Sequence, residues 1–223
     1  MTAGRHRPRN ESPYPTRLLA PAMQGYPEVC VLRLGHRPGR DNRMTTHVGL
    51  TARALGADRV VIAGDASKSR ATIEDITTRF GGPFEVELSE AWRPLIREWP
   101  GVVVHLTMYG ERIQDAEEGI RDRHGTEPLL VVVGSQKVPF DVYEASDYNV
   151  GVTNQPHSEV AGLAVFLDRL FEGAELDREW AGADRRVVPR ATGKEVVPVE
   201  EDGDGRGVLD GDAGDAPADG DGS

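Results

Sequence analysis

The feature that most constrains this chain is a series of short, continuous apolar runs, each separated from the next by a helix-length amphipathic segment. Val29-Cys30-Val31-Leu32, Val60-Val61-Ile62, Val102-Val103-Val104 and Leu129-Leu130-Val131-Val132-Val133 contain no polar residue. A strand covered on one face alternates apolar with polar residues, whereas runs like these belong to strands buried on both faces. Strands of that kind joined through helices make a parallel sheet with helices on both sides. The expected strands are 29–34, 59–63, 84–88, 102–107, 129–133 and 149–152, and the expected helices are 46–55, 68–80, 92–99, 114–122 and 158–171. The fold class is therefore α/β, a Rossmann-like and mostly parallel sheet covered by helices.

The last of these helices carries apolar residues at Val160, Leu163, Ala164, Leu167, Leu170 and Phe171, with Val165 and Phe166 outside that stripe. So wide a stripe implies two burial surfaces, the sheet and a second subunit.

The 223 residues suit one such domain. No stretch approaches the roughly 18 apolar residues of a membrane helix, and the N-terminus has no apolar signal region, so a cytoplasmic protein without a membrane partner is expected. The single cysteine, Cys30, lies inside an apolar run and reads as a core residue.

The formal charge of −11 is unevenly placed. Residues 195–223 hold ten acids and one base, a share of −9, while residues 1–27 carry +3, which leaves −5 for the segment between. The expected organisation is a poorly ordered basic extension (1–27), a globular domain (28–175), a C-terminal extension of it (176–194) and a disordered acidic tail (195–223), whose Gly, Asp and Ala cannot bury enough surface to fold. A negative domain is a poor match to nucleic-acid phosphates at ordinary salt. Three lysines stand against 23 arginines, however, and with the aspartate-rich tail this composition resembles proteins of extremely halophilic cells. At molar salt the screening length is about 3 Å, so the net charge says little about the substrate, and activity is expected to persist at high KCl.

Three glycine-containing loops follow strand ends: Gly35-His36-Arg37-Pro38-Gly39-Arg40, Thr107-Met108-Tyr109-Gly110-Glu111 and Gly134-Ser135-Gln136-Lys137-Val138-Pro139. That edge of a parallel sheet is where ligands bind. The dinucleotide, P-loop and hydrolase-elbow motifs are all missing. His36, His47, His105 and His157 have no zinc spacing, so no metal is expected. Arg33, Arg37, Arg40 and Arg43 cluster at the first loop, as a solvated face or as a grip for phosphate or a developing oxyanion. At the start of the last helix, Ser158 and Glu159 suit a cap, but Asn154, Gln155 and His157 exceed what a turn needs.

Taken together, Val31-Leu32-Arg33-Leu34-Gly35-His36-Arg37, Thr45-Thr46-His47-Val48, Val104-His105-Leu106-Thr107-Met108-Tyr109-Gly110, Lys137-Val138-Pro139 and Asn154-Gln155-Pro156-His157-Ser158-Glu159-Val160-Ala161 resemble, in order across residues 28–175, the archaeal tRNA ribose 2′-O-methyltransferases that modify cytidine 56. The resemblance implies the SPOUT fold with a C-terminal trefoil knot, a homodimer, S-adenosyl-L-methionine as cofactor, and tRNA rather than DNA as partner. It places the cofactor against Leu106, Met108, Tyr109, Gly110, Glu111, Arg112, Ile113, Val133, Gly134, Ser135, Gln136, Lys137, Val138, Pro139, Asn154 and Ser158. Methyl transfer to a hydroxyl needs alignment and a group that accommodates the oxygen as it loses its proton. Arg37 or Arg43 is the candidate for that role and His47 the next, although the stretch 41–50 departs from the usual Asn-to-Arg spacing of related enzymes. The alternative is a non-catalytic RNA-binding module of the same fold.

Overall fold

A computed structural model describes residues 26–134 and 137–199. The basic extension up to residue 25, the acidic tail from residue 200, and Ser135 and Gln136 lie outside the described residues. Six parallel strands, β1 (Val29–Leu34), β2 (Arg59–Ala63), β3 (Glu85–Ser89), β4 (Val102–Arg112), β5 (Leu129–Gly134) and β6 (Tyr148–Gly151), form one sheet in the order β3-β2-β1-β5-β4-β6.

Every residue of the central β1 is buried, and the runs without polar residues are the interior strands. The period-two rule divides each of them between two cores. Val29, Val31, Val60, Ile62, Val102, Val104, Leu129 and Val131 face the larger core, with Val48, Ile73, Ile120 and Leu163 from helices α1 (Asn42–Ala54), α2 (Ser67–Phe80), α4 (Ile113–His124) and α6 (Glu159–Phe171). Cys30, Leu32, Val61, Val103, Leu130 and Val132 face the smaller one, with Ile96 of α3 (Trp92–Glu98) and Val142 of α5 (Phe140–Ala145). Burial pushes the Cys30 thiol up to about 12, so it stays protonated. β3 is an edge strand in which Val86 is buried between exposed Glu85 and Glu87.

Four differences from the sequence expectation have physical causes. Helix α1 starts four residues early, because the backbone of residues 37–41 is already turning: Arg40 and Asp41 donate their N–H groups to the Arg37 carbonyl, and Thr45 donates to that of Asp41. Strand β4 runs beyond residue 107 to Arg112, so 108–112 is not simply a loop; Leu106 and Glu111 both pair with Val150, and residues 107–110 make an excursion between them. Residues 195–198 do not belong to an unstructured tail. They form β8 (Glu195–Pro198), antiparallel to β7 (Arg185–Val188), as the Val196-Val197 pair there matches Arg186-Val187 across the ladder. The wide apolar stripe of α6 does not need a second subunit, since α1 and α4 pack beside it on the sheet. Leu163, Phe166, Leu167, Leu170 and Phe171 are all buried within one chain, and only Val165 is exposed.

Residues 178–183 clasp the sheet's far end. Trp180 lies between two guanidiniums, Arg53 at 4.1 Å and Arg178 at 4.7 Å, and Ala181 bridges Gly82.

Candidate functional site

Two cavities adjoin at the carboxyl ends of the strands. The first, about 520 Å³, lies beyond β5, β4 and β6 and falls in the ordinary size range of small-molecule sites. Leu106, Val133, Val138, Val150 and Val152 give it apolar walls, and Lys137, Thr107 and Tyr143 add polar groups. Its innermost polar element is His105, which is fully buried. The Asn149 amide donates to the Tyr143 carbonyl (3.0 Å), so its oxygen faces His105 and accepts from Nδ1–H at 2.9 Å. That fixes the tautomer: Nε2 carries a lone pair, and it is buried without a partner. Burial holds the imidazole below its usual range, which keeps it neutral. The Tyr143 ring stands edge-to-face to His105 at 4.6 Å, and its hydroxyl is 3.0 Å from that of Thr107.

The 107–110 excursion forms one lip of this cavity. Asn154 pins it by donating to the carbonyls of Met108 (2.8 Å) and Gly110 (3.0 Å). Gly110 passes so close to β6 that a Cβ there would stand 2.4 Å from the Asn149 carbonyl oxygen.

The second cavity, about 680 Å³, lies beyond β1 between the first loop and the start of α6. Arg33, Arg37, Arg40 and Arg43 line it with Asp41, Met44, His47 and Ser158. Arg43 and His47 are one turn apart on α1 and so share a face. The Arg37 guanidinium donates to both oxygens of Asp41 (2.7 and 3.0 Å), which holds that carboxyl below the usual range. Arg33, which sequence groups with the other arginines at the first loop, is fully buried. Its Nη1 donates to the Leu34 carbonyl at 2.6 Å, and its Nη2 lies 3.2 Å from Glu159 Oε2 at an angle that is not a hydrogen bond. Burial pushes the Glu159 carboxyl up despite Arg33. His157 and Glu159 line both cavities and form the wall between them.

Of the residues assigned to the cofactor by sequence, Leu106, Met108, Tyr109, Val133, Gly134, Lys137 and Val138 line the first cavity. Glu111 and Arg112 sit instead in the outer ladder of β4, Ile113 is in the core, Gly110 packs on β6, Pro139 precedes α5, and Ser158 faces the second cavity. Arg37, Arg43 and His47 all line the second cavity. Sequence reasoning missed Tyr143 because α5 is too short to show a period, and missed Val150, Val152 and Gly162 because strand and helix ends look like packing, whereas Pro156 stands in the block that carries the resemblance. Glu159 stands in the same block, although on its own it reads as a helix-end acid.

The family model for tRNA ribose 2′-O-methyltransferase, aTrm56, matches residues 80–197. A tRNA (cytidine(56)-2′-O)-methyltransferase of Natronomonas pharaonis is 76% identical over 81% of this chain and 100% of its own. Those of Halobacterium salinarum and Thermococcus kodakarensis are 63% and 53% identical, over 85% and 77% of this chain and 99% and 98% of theirs. A putative RNA methyltransferase of the TrmH family from Porphyromonas gingivalis shares the fold at 13% identity, with a TM-score of 0.50 over 65% of this chain and 59% of that one.

Proposed function

Because the chain belongs to the tRNA ribose 2′-O-methyltransferase family, we propose that it methylates the ribose 2′-hydroxyl of cytidine 56 in tRNA, with S-adenosyl-L-methionine in the first cavity and the target nucleotide in the second. The observation that carries this reading is the shared wall: two sites of different chemistry meet at His157 and Glu159, where a group can pass from one to the other.

The residues of the first cavity fit the cofactor. His105 Nε2 is a buried acceptor without a donor, as the adenine amino group requires, and the valine and leucine walls suit a base ring. Lys137 can hold a carboxylate, and Glu159 faces a cation without repulsion. When bound, S-adenosylmethionine supplies an electrophilic methyl group. The chain itself supplies alignment. Asn154 fixes the lip that orients one reactant, Asp41 fixes Arg37, and Arg40 and Arg43 present guanidiniums to a phosphodiester. Arg37, Arg43 and His47 then steady the hydroxyl oxygen as negative charge grows on it.

We read the β4–β6 crossing as the family's knot. Support comes from Val150, which pairs with Leu106 and with Glu111, so that the 107–110 excursion leaves and rejoins the ladder at one point of β6. We also propose a homodimer, supported by Met44 and Val165, which stay exposed on the packed helices α1 and α6. Its site of action would be the cytoplasm, where archaeal tRNA resides. Among the described residues, no helix is long and apolar enough to cross a membrane.

Incubation of the full chain with methyl-labelled S-adenosylmethionine and unmodified tRNA transcript tests the function. Label is expected on the ribose of residue 56 and is lost when that residue is 2′-deoxy. Binding of both ligands without transfer would overturn the reading in favour of a non-catalytic RNA-binding module.

A further inference from the structure

We propose that Glu159 takes the proton from the ribose 2′-hydroxyl, with the buried Arg33 as its fixed cation. The proposal rests on the reading of the two cavities as cofactor and nucleotide sites. A methyl group moving between them meets the oxygen where they adjoin, and the described residues common to both linings are His157 and Glu159. Arg37, Arg40, Arg43 and His47 line the second cavity alone. A guanidinium does not give up its proton in a protein, so the arginines can place the oxygen but cannot act as base. Asp41 has both oxygens committed to Arg37.

His157 donates Nδ1–H to the Gln155 carbonyl at 2.8 Å, and its Nε2 is packed on Gly162, where a Cβ would stand only 2.9 Å from it. One side of that nitrogen is therefore taken up by α6, and the exposed ring is open to solvent. Glu159 differs. Its Oε2 is enclosed beside Arg33, while its side chain keeps 21% of its surface exposed, so the other oxygen, Oε1, is the one available to the junction. Arg33 faces it from β1, and Arg37 and Asp41 from the turn before α1. Burial raises its proton affinity against the pull of the two arginines, which makes it a stronger base than an exposed carboxylate.

The step balances. The 2′-oxygen forms a bond to the methyl carbon as the carbon–sulfur bond breaks, its electron pair stays on sulfur to give a neutral thioether, and the hydroxyl proton passes to Glu159, which later releases it to water.

The test measures single-turnover transfer by the full chain to unmodified tRNA across pH. In the wild type the rate rises with pH along a limb set by Glu159. Glu159→Gln is expected to lose about 10²–10⁴-fold in rate and the limb with it, with S-adenosylmethionine and tRNA affinities by calorimetry within about threefold of wild type. Glu159→Asp should retain part of the rate, which also covers failure of the glutamine variant to fold. Arg33→Met removes the cation that favours the charged carboxylate, so the limb should move to higher pH, a shift that simple loss of packing would not produce. A readout without cofactor is carboxyl ¹³C NMR, in which the resonance missing from Glu159→Gln should titrate above the ordinary glutamate value of about 4.3. A Glu159→Gln enzyme with wild-type rate and limb overturns the proposal, as does a limb abolished by His157→Gln but kept by Glu159→Gln. A wild-type chain that binds both ligands and transfers nothing overturns the reading of function itself.

Discussion

Gly110→Ala adds one methyl group where the 107–110 excursion passes against the backbone of β6. The added Cβ would stand 2.4 Å from the Asn149 carbonyl oxygen and 2.5 Å from both the Asn149 carbonyl carbon and the Val150 nitrogen. Ordinary contact begins near 3.4 Å, so residues 107–110 must retreat from β6 by about 1 Å. All three obstructing atoms are backbone, and their strand is held in the ladder with β4, so no side chain can swing aside. Overpacking costs about 1–3 kcal/mol, and a clash with fixed backbone belongs at the upper end, about 3 kcal/mol. In a domain of this size that lowers the melting temperature by about 6–12 °C. Thr107, Met108 and Tyr109 move with the lip of the first cavity, and a 1 Å misplacement of a reacting group can cost about 10²-fold in rate. Urea unfolding and calorimetry with S-adenosylmethionine measure both effects. Gly119→Ala is the control, because its Cβ meets only the Tyr148 hydroxyl at 3.4 Å and replaces glycine inside α4, where alanine gains up to about 1 kcal/mol. A Gly110→Ala protein within about 0.5 kcal/mol of wild type, with unchanged cofactor affinity, would refute the close approach.

Leu167→Ala should cost about 2–5 kcal/mol, and Leu167→Lys should unfold the chain rather than yield folded monomers, since Leu167 is fully buried within one chain; circular dichroism with size-exclusion chromatography distinguishes the outcomes. Burial depresses the proton affinity of His36, His105 and His124, so below pH ~6.5 the unfolded chain binds more protons than the native one and stability falls as pH falls. Each contributes at most about 1.4 kcal/mol per pH unit, and urea midpoints at pH 7.5 and 5.5 that coincide would contradict this. Trp180→Ala removes two cation–π contacts, worth about 1–2 kcal/mol together, and should quicken proteolysis within 178–199 while the main sheet keeps its hydrogen-exchange protection.

The interior of the sheet was legible because burial on both faces leaves its mark on every residue of a strand. The ends of β1 and β2 match the runs 29–34 and 59–63, while edge strand β3, with one face exposed, shifts by one residue. Helix α5 and the β7–β8 hairpin escaped notice because neither is long enough to show a period, and β8 sits where acidic composition argued for a tail.

Local pattern thus determined the α/β class, the core strands and the loops that carry chemistry, since each of these is written in neighbouring residues. Tertiary structure decided how those loops combine. Arg33 and Glu159 are 126 positions apart in sequence, and nothing near either one indicates that a buried guanidinium will meet the first turn of α6. The same holds for the width of the α6 stripe, which sequence assigned to a second subunit and which α1 and α4 cover instead. A residue's own neighbourhood fixes whether it is buried, but which distant segment buries it depends on the packing of the whole chain.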